Sequence, residues 1–249
     1  MDTATDRHES AIDPVSATVP DRDARCVLEV ENLRTSLGHG MSLACASLTL
    51  AHGAFELIDA GDEGQAAALS DLCSGLIEPM EGVVRLLGHD WKSLPHDYAN
   101  ALRGRIGRDF ADEAWVPHLS LIENILLQQH HHTRRAEREM LAEASVLARA
   151  FGLPGIPVSR PEDVSPFDRA RAALVRAFVG DPVLILLENP LQGRYVDLLE
   201  PLVNVIARAR RRGAAVLWLT LTPATWGMRN LPTTGRLRLS EGRLARITP

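Results

Sequence analysis

Asp181-Pro182-Val183-Leu184-Ile185-Leu186-Leu187-Glu188-Asn189-Pro190 is the stretch that decides the fold class. Its apolar run, Val183 to Leu187, follows the helix-stopping Gly180-Asp181-Pro182 and ends on an acid. A half-buried strand would alternate apolar and polar residues. An unbroken run this short instead fits a strand buried on both faces, the kind found in parallel sheets covered by helices. The same texture returns downstream at Ala214 to Thr220 and upstream at Ala54 to Asp59. Helical periodicity lies between these runs, at Pro166 to Phe178 and at Leu198 to Arg212, where a basic last turn precedes a stop at Gly213. Strands alternating with helices predict an α/β core.

Further out, Cys26-Val27-Leu28-Glu29-Val30 alternates as a strand. A second strand is expected over Ser42 to Leu50 before the turn at His52-Gly53, and another over Gly82 to Leu87. Ala60-Gly61-Asp62-Glu63-Gly64-Gln65 reads as a glycine-containing loop, and Ala66 to Ser74 as a helix stopped by Gly75 and Pro79. Ser120 to Phe151 carries one long helical pattern with a charged stretch at Thr133 to Glu139; Gly152, Pro154, Gly155 and Pro157 break it. It predicts a helical lobe inserted into the parallel core. Leu237 to Leu244 reads as a hairpin around Glu241-Gly242. Residues 1–24, rich in Asp, Ser, Thr and Pro, form a polar tail that cannot bury itself and is expected to be disordered.

Composition bounds the function classes. The chain has 249 residues, 45% hydrophobic and 24% charged, which is enough apolar material for one sizeable domain. A net charge of −5 argues against a nucleic-acid binder that works through phosphate contacts. The three cysteines, Cys26, Cys45 and Cys73, show no metal-ligand spacing and read as buried reduced thiols. The acidic, polar start lacks the basic-then-apolar pattern of a secretory leader, and no apolar run reaches the roughly 18–20 residues of a membrane span.

Several segments in this order resemble the nucleotide-binding subunit of ATP-binding-cassette (ABC) transporters over residues 25–249. Gly75-Leu76-Ile77-Glu78-Pro79-Met80-Glu81-Gly82-Val83-Val84 is similar to the stretch after that family's P-loop helix. Arg105-Ile106-Gly107, then Val116-Pro117-His118-Leu119-Ser120 and Glu123-Asn124-Ile125, resemble the segment around its Q-loop. Arg171 to Phe178 and Asp181 to Glu188 resemble the run into its Walker B strand. The resemblance implies an ABC-type P-loop NTPase fold: a mostly parallel core, antiparallel N-terminal strands and a helical subdomain at about 112–168. It also implies a cytoplasmic subunit peripheral on the inner face of the cell membrane, partnered by an integral membrane transporter subunit and by a second ABC subunit in a homo- or heterodimer.

The positions that carry the family's chemistry are changed. A working P-loop, GxxxxGK[ST], cradles phosphates with backbone amides, neutralises them with Lys and holds Mg²⁺ with a hydroxyl. Here the corresponding nucleotide site is Gly61, Gly64, Gln65, Ala66, Ala67 and Ala68, with the Lys position on Ala66 and acids nearby at Asp62 and Glu63. The Walker B aspartate position is Glu188, which can still meet Mg²⁺; the general-base position is Asn189, which cannot take a proton from water. The Q-loop glutamine falls on Ala111, the switch histidine on Leu221, the adenine-stacking aromatic near Leu37 and the D-loop aspartate on Tyr195. The signature segment is Val164-Ser165-Pro166-Phe167-Asp168, which keeps Ser165 and loses its glycines. Absence of the Lys, the base and the His together removes more than about 6 kcal/mol of transition-state stabilisation, a rate loss beyond roughly 10⁴. ATP with Mg²⁺ is therefore expected to bind weakly or not at all.

The resemblance leaves three readings: a catalytically impaired transport subunit with a structural or regulatory role, an atypical ATPase that still hydrolyses slowly, and an interaction module outside transport. Other features read blandly. His130-His131-His132 point about 100° apart on a helix and cannot converge on one ion, Arg134 to Glu139 is an exposed helical face, and Arg208 to Arg212 complements a helix dipole. Trp91, Trp115, Trp218 and Trp226 are spread along the chain as packing residues.

Overall fold

In the computed structural model, which describes residues 26–38, 41–192 and 195–247, the apolar run at 184–188 is a strand buried at every position. The polar segment 1–24 lies outside the described residues. The chain runs β1 (Cys26–Gly38), β2 (Met41–Ala51), β3 (Phe55–Asp59), α1 (Glu63–Cys73), β4 (Glu81–Leu86), β5 (His89–Asp90), α2 (His96–Arg103), β6 (Ile106–Asp109), α3 (Leu121–His132) and α4 (Glu137–Ala150). It continues through α5 (Pro166–Phe178), β7 (Leu184–Glu188), α6 (Leu199–Arg211), β8 (Ala215–Thr220), α7 (Pro223–Trp226), β9 (Gly235–Ser240) and β10 (Arg243–Arg246).

Among the described residues these strands form two sheets. The larger has the order β10-β9-β3-β8-β7-β6, parallel throughout except for the β9–β10 hairpin. The smaller, β2-β1-β4-β5, is antiparallel. Alternation along β7 and β8 shows why both runs must be apolar throughout. Ile185, Leu187, Val216 and Trp218 face a core shared with α3, α4, α5 and α6, while Leu184, Leu186, Leu217 and Leu219 face a second core with α1 and the antiparallel sheet. Burial of each such side chain contributes about 1.5–3 kcal/mol, so a polar residue on either face would be felt.

The architecture is the α/β arrangement expected from the sequence, with three local differences. The helical pattern at 120–151 is two helices rather than one. A capping box starts α3, with Ser120 and Glu123 bonding each other's backbone N–H groups. Thr133 closes α3 by turning its hydroxyl and N–H onto the Gln129 carbonyl (2.7 and 3.0 Å). Arg135 then reaches Glu143 (2.7 Å), so part of the charged run bridges to α4 instead of facing water. Secondly, β6 and the helices α2 and α7 were not expected. β6 is masked in the sequence because two of its residues, Arg108 and Asp109, are charged, yet they are 9% and 5% exposed. Thirdly, three of the four tryptophans do more than pack: Trp91, Trp115 and Trp226 lie against Arg103, Arg176 and Arg236.

Cys26 and Cys73 are buried and free, and burial pushes both thiols up to about 12; the side chain of Cys45 lies outside the described residues. No helix among the described residues is long and apolar enough to cross a membrane. The basic end of α6 is structural as well as electrostatic. Arg210 donates to the carbonyls of Gly53 and Pro232 (2.7 Å each), and Arg212 pairs with Asp181 (2.9 Å).

Gly107 fixes how closely α5 approaches the sheet. A Cβ there would sit 1.8 Å from the Ala177 carbonyl oxygen, a backbone atom that cannot swing aside. Gly107→Ala is expected to lower unfolding free energy by about 3 kcal/mol, measured by urea titration, because β6 and α5 must separate to admit one methyl group. A loss below about 1 kcal/mol would mean that the approach is slacker than described.

Candidate functional site

Parallel α/β sheets bind ligands beyond the carboxyl ends of their strands, and there the chain gathers most of the positions singled out in the sequence. Gly61 follows β3, Ala111 follows β6, Glu188 and Asn189 end β7, and Leu221 follows β8. Adjacent backbones are stitched together at this edge: Ala60 N–H donates to Thr220 (3.0 Å), and Asn189 N–H to Leu219 (2.7 Å). Asn189 itself sits in the left-handed region at φ +51°. Leu221 packs against the α1-side core.

Between β3 and α1 there are only Ala60, Gly61 and Asp62. Helix α1 begins at Glu63, so Gly64 and Gln65 belong to its first turn rather than to an open loop. Asp62 is the N-cap, accepting the Gln65 N–H through Oδ1 (2.9 Å) and the Gln65 side-chain amide through Oδ2. A carboxylate here suits the positive end of the helix dipole and contributes on the order of 1 kcal/mol. Ala66 is fully buried in the α1-side core, and Ala68 is 8% exposed. Asp59 is engaged by Arg238 of β9 (3.0 Å).

Glu188 is 2% exposed and has a cation of its own. Arg108, reaching from β6, donates Nε to Glu188 Oε1 (2.5 Å), Nη1 to Asp71 Oδ1 of α1 (2.5 Å) and Nη2 to the Ala67 carbonyl (3.3 Å). The other carboxylate oxygen of Glu188 accepts the Ala111 N–H at 3.5 Å. One guanidinium thus ties together α1, β6 and β7. Among the described residues no group of three His, Cys, Asp or Glu side chains is arranged to hold a metal ion, the three consecutive histidines included. At this edge the Glu188 carboxylate is paired with Arg108, and helix α1 starts with Asp62 as its cap and Glu63 in its first turn.

A second buried pair lies alongside. Asp109 is pushed up to about 8, first by burial and then by Glu188 and Glu113, against the opposing pull of Arg176. Arg176, on α5, is lowered to about 10 by its own burial. Burial thus favours the neutral form of Asp109, while Glu188 and Asp71 both pair with Arg108. Sequence reading missed Arg108, Asp71, Asp109 and Arg176. Only a search for charges inside apolar context could have flagged them, and β6 is too short to supply that context.

Ser165 stands apart from this edge in the fold as the N-cap of α5. Its hydroxyl accepts the Asp168 N–H (3.1 Å) and donates to the Asp168 carboxylate (3.0 Å), which also pairs with Arg171 (2.9 Å). Phe167 lies against Tyr195, ring centroids 5.4 Å apart. The side chain of Leu37 lies outside the described residues.

No protein-family model matches the chain. It is similar to the phosphonates import ATP-binding protein PhnC of Alcaligenes faecalis, 30% identical over 174 residues that cover 66% of this chain and 62% of that protein. It is also similar to the glutamate/aspartate import ATP-binding protein GltL of Escherichia coli K12, 23% identical over 78% of this chain and 80% of the relative. A third, the molybdate/tungstate import ATP-binding protein WtpC of Archaeoglobus fulgidus, is 35% identical over 51% of this chain and 49% of its own length. Among solved structures, the ATP-binding subunit of an ABC transporter superposes with a TM-score of 0.75 at 22% identity, covering 89% of this chain and 90% of that one. A dimeric ATP-binding cassette in a post-hydrolysis state with ADP and Pi gives 0.73 at 18% identity, covering 89% and 99%. At such identities these structures establish the fold: an α/β ABC-type P-loop architecture with an antiparallel N-terminal sheet and a mostly parallel core sheet.

Arg108→Met is expected to cost about 3–5 kcal/mol in urea unfolding by leaving Glu188 buried and unpaired, and the double variant with Glu188→Leu to recover much of that loss. Equal instability of both variants would show that the pair is not what matters. Asp109 holds a proton in the native state that the unfolded chain releases near pH 4. Wild-type stability should therefore fall, relative to Asp109→Asn, as pH rises from about 4 to about 8, by up to about 1.4 kcal/mol per pH unit, and level off above that. A flat difference between pH 5 and 8 would contradict a protonated Asp109.

Proposed function

We propose that this chain is an ATP-binding cassette of the ABC transporter family and a catalytically impaired subunit of an import transporter, with a structural or regulatory role. The observation that carries the reading is the capture of Glu188 by Arg108. The carboxylate at the metal-binding position of the family is neutralised by the protein's own guanidinium. Around it, the position of the phosphate-binding lysine is a core methyl, the base position is an amide, and the helix end that would meet phosphate is capped by Asp62. Phosphoryl transfer relies almost wholly on positioning and charge neutralisation, and the Arg108 guanidinium at this site is already paired with the protein's own carboxylates.

In this reading residues 25–249 form one cassette with a helical subdomain at about 112–168. The cassette pairs with a second ABC subunit and with an integral membrane subunit at the inner face of the cell membrane. Support for import comes from the relatives, whose names attach to phosphonates, glutamate and aspartate, and molybdate or tungstate. These cargoes differ chemically, so the similarity carries the direction of transport and no cargo. A transport role also fits a framework preserved over most of the fold while its chemistry is altered.

Isothermal titration of the purified chain with Mg-ATP is expected to show no binding at millimolar nucleotide, and the chain to co-purify with a multispanning membrane protein encoded beside it. Measurable ATP binding with turnover by the isolated chain would replace this reading with the atypical ATPase.

A further inference from the structure

The segment joining β6 to α3 is held by the same buried charges. The Phe110 ring lies against two guanidinium groups, with Arg108 at 4.4 Å and Arg176 at 5.2 Å from its centroid. Ala111 N–H reaches Glu188, and the carbonyls of Glu113 and Ala114 both accept from Arg176 (2.5 and 3.2 Å). The Glu113 carboxylate pairs with Arg169 of α5 (2.9 Å) and accepts the Trp115 indole N–H (2.8 Å), while the Trp115 ring lies 4.3 Å from the Arg176 guanidinium. At the far end, the side chain of Asn124 closes on Val116 in both directions (2.8 and 3.1 Å).

Glu113 and Ala114 are in the left-handed region, at φ +63° and +44°, where side chains with a Cβ are disfavoured. Such a conformation persists only where the surroundings over-determine it. Here they do, since every residue from Phe110 to Trp115 except Asp112 is tied to a buried charge. Both arginines are themselves nine-tenths buried, so neither can leave without uncompensated desolvation.

We infer that Arg108 and Arg176 form a clamp that locks residues 110–116, so that the parallel core and the helices after it keep one relative arrangement whether or not nucleotide is present. The clamp joins α1, β7 and α5 to the connecting segment through charges the chain supplies itself. In that respect it deepens the structural role proposed above and rests on that reading.

Hydrogen exchange of the full chain, followed on peptides covering 110–116, tests the clamp. The amides of Glu113 and Val116 are expected to exchange slowly, unchanged by millimolar Mg-ATP. Phe110→Leu keeps the segment apolar but removes the ring that both guanidiniums contact; it should speed their exchange by about tenfold or more while the amides of β8 stay protected. Arg176→Met should do the same at Glu113. Fast exchange in the wild type, or protection that Mg-ATP raises, would overturn the clamp. Calorimetry on the same sample separates the two ideas. Nucleotide binding with unaltered exchange would sink the impaired-subunit reading and leave the clamp standing, whereas no binding with fast exchange would do the reverse.

Discussion

The contact between Arg108 and Glu188 adds a buried ion pair to the backbone pairing of β6 with β7, strands that are distant in sequence. Glu188 ends a strand with hydrophobic cores on both sides, so its charge has no access to bulk water. Left alone it would have to be protonated or would destabilise the strand by several kcal/mol. Arg108 supplies the counter-charge from the neighbouring strand, and Asp71 and the Ala67 carbonyl use its remaining donors. Buried ion pairs are seldom net stabilising against a hydrophobic alternative. What this one provides is specificity, because only one register of β6 against β7 and one seating of α1 bring all the partners within reach.

Asp109 and Arg176 lie close enough to this pair to feel its charges, and burial moves both towards their neutral forms. The electrostatics of the strand ends thus follow from the fold's own needs. The site is filled, in the sense that its charges already have partners.

Legibility differed by scale. The continuous apolar runs at 183–187 and 214–220 announced a parallel sheet covered on both faces, and glycines and prolines marked most element ends. The split between α3 and α4 was hidden because Thr133, not a glycine or proline, ends the first helix. β6 was hidden because a strand carrying Arg108 and Asp109 looks like surface until its partners are known. For the strand ends, sequence comparison located the altered positions but gave no hint of what compensates them. Arg108 lies 37 residues from Asp71 and 80 from Glu188, and no local period connects them.

The geometry at the start of α1 bears on how such a chain could change in future. Ala66 points into the core, so a lysine there would bury an ammonium group among leucines rather than extend it towards a phosphate. Loop length is the obstacle, since helix α1 has already grown through the turn where backbone amides would need to fan out. Recovering a phosphate cradle would require remodelling the backbone before any side-chain reversion could help. Each single step would pass through a less stable protein. A route to a phosphate site here would begin with the backbone between β3 and α1, and only then with the residue at position 66.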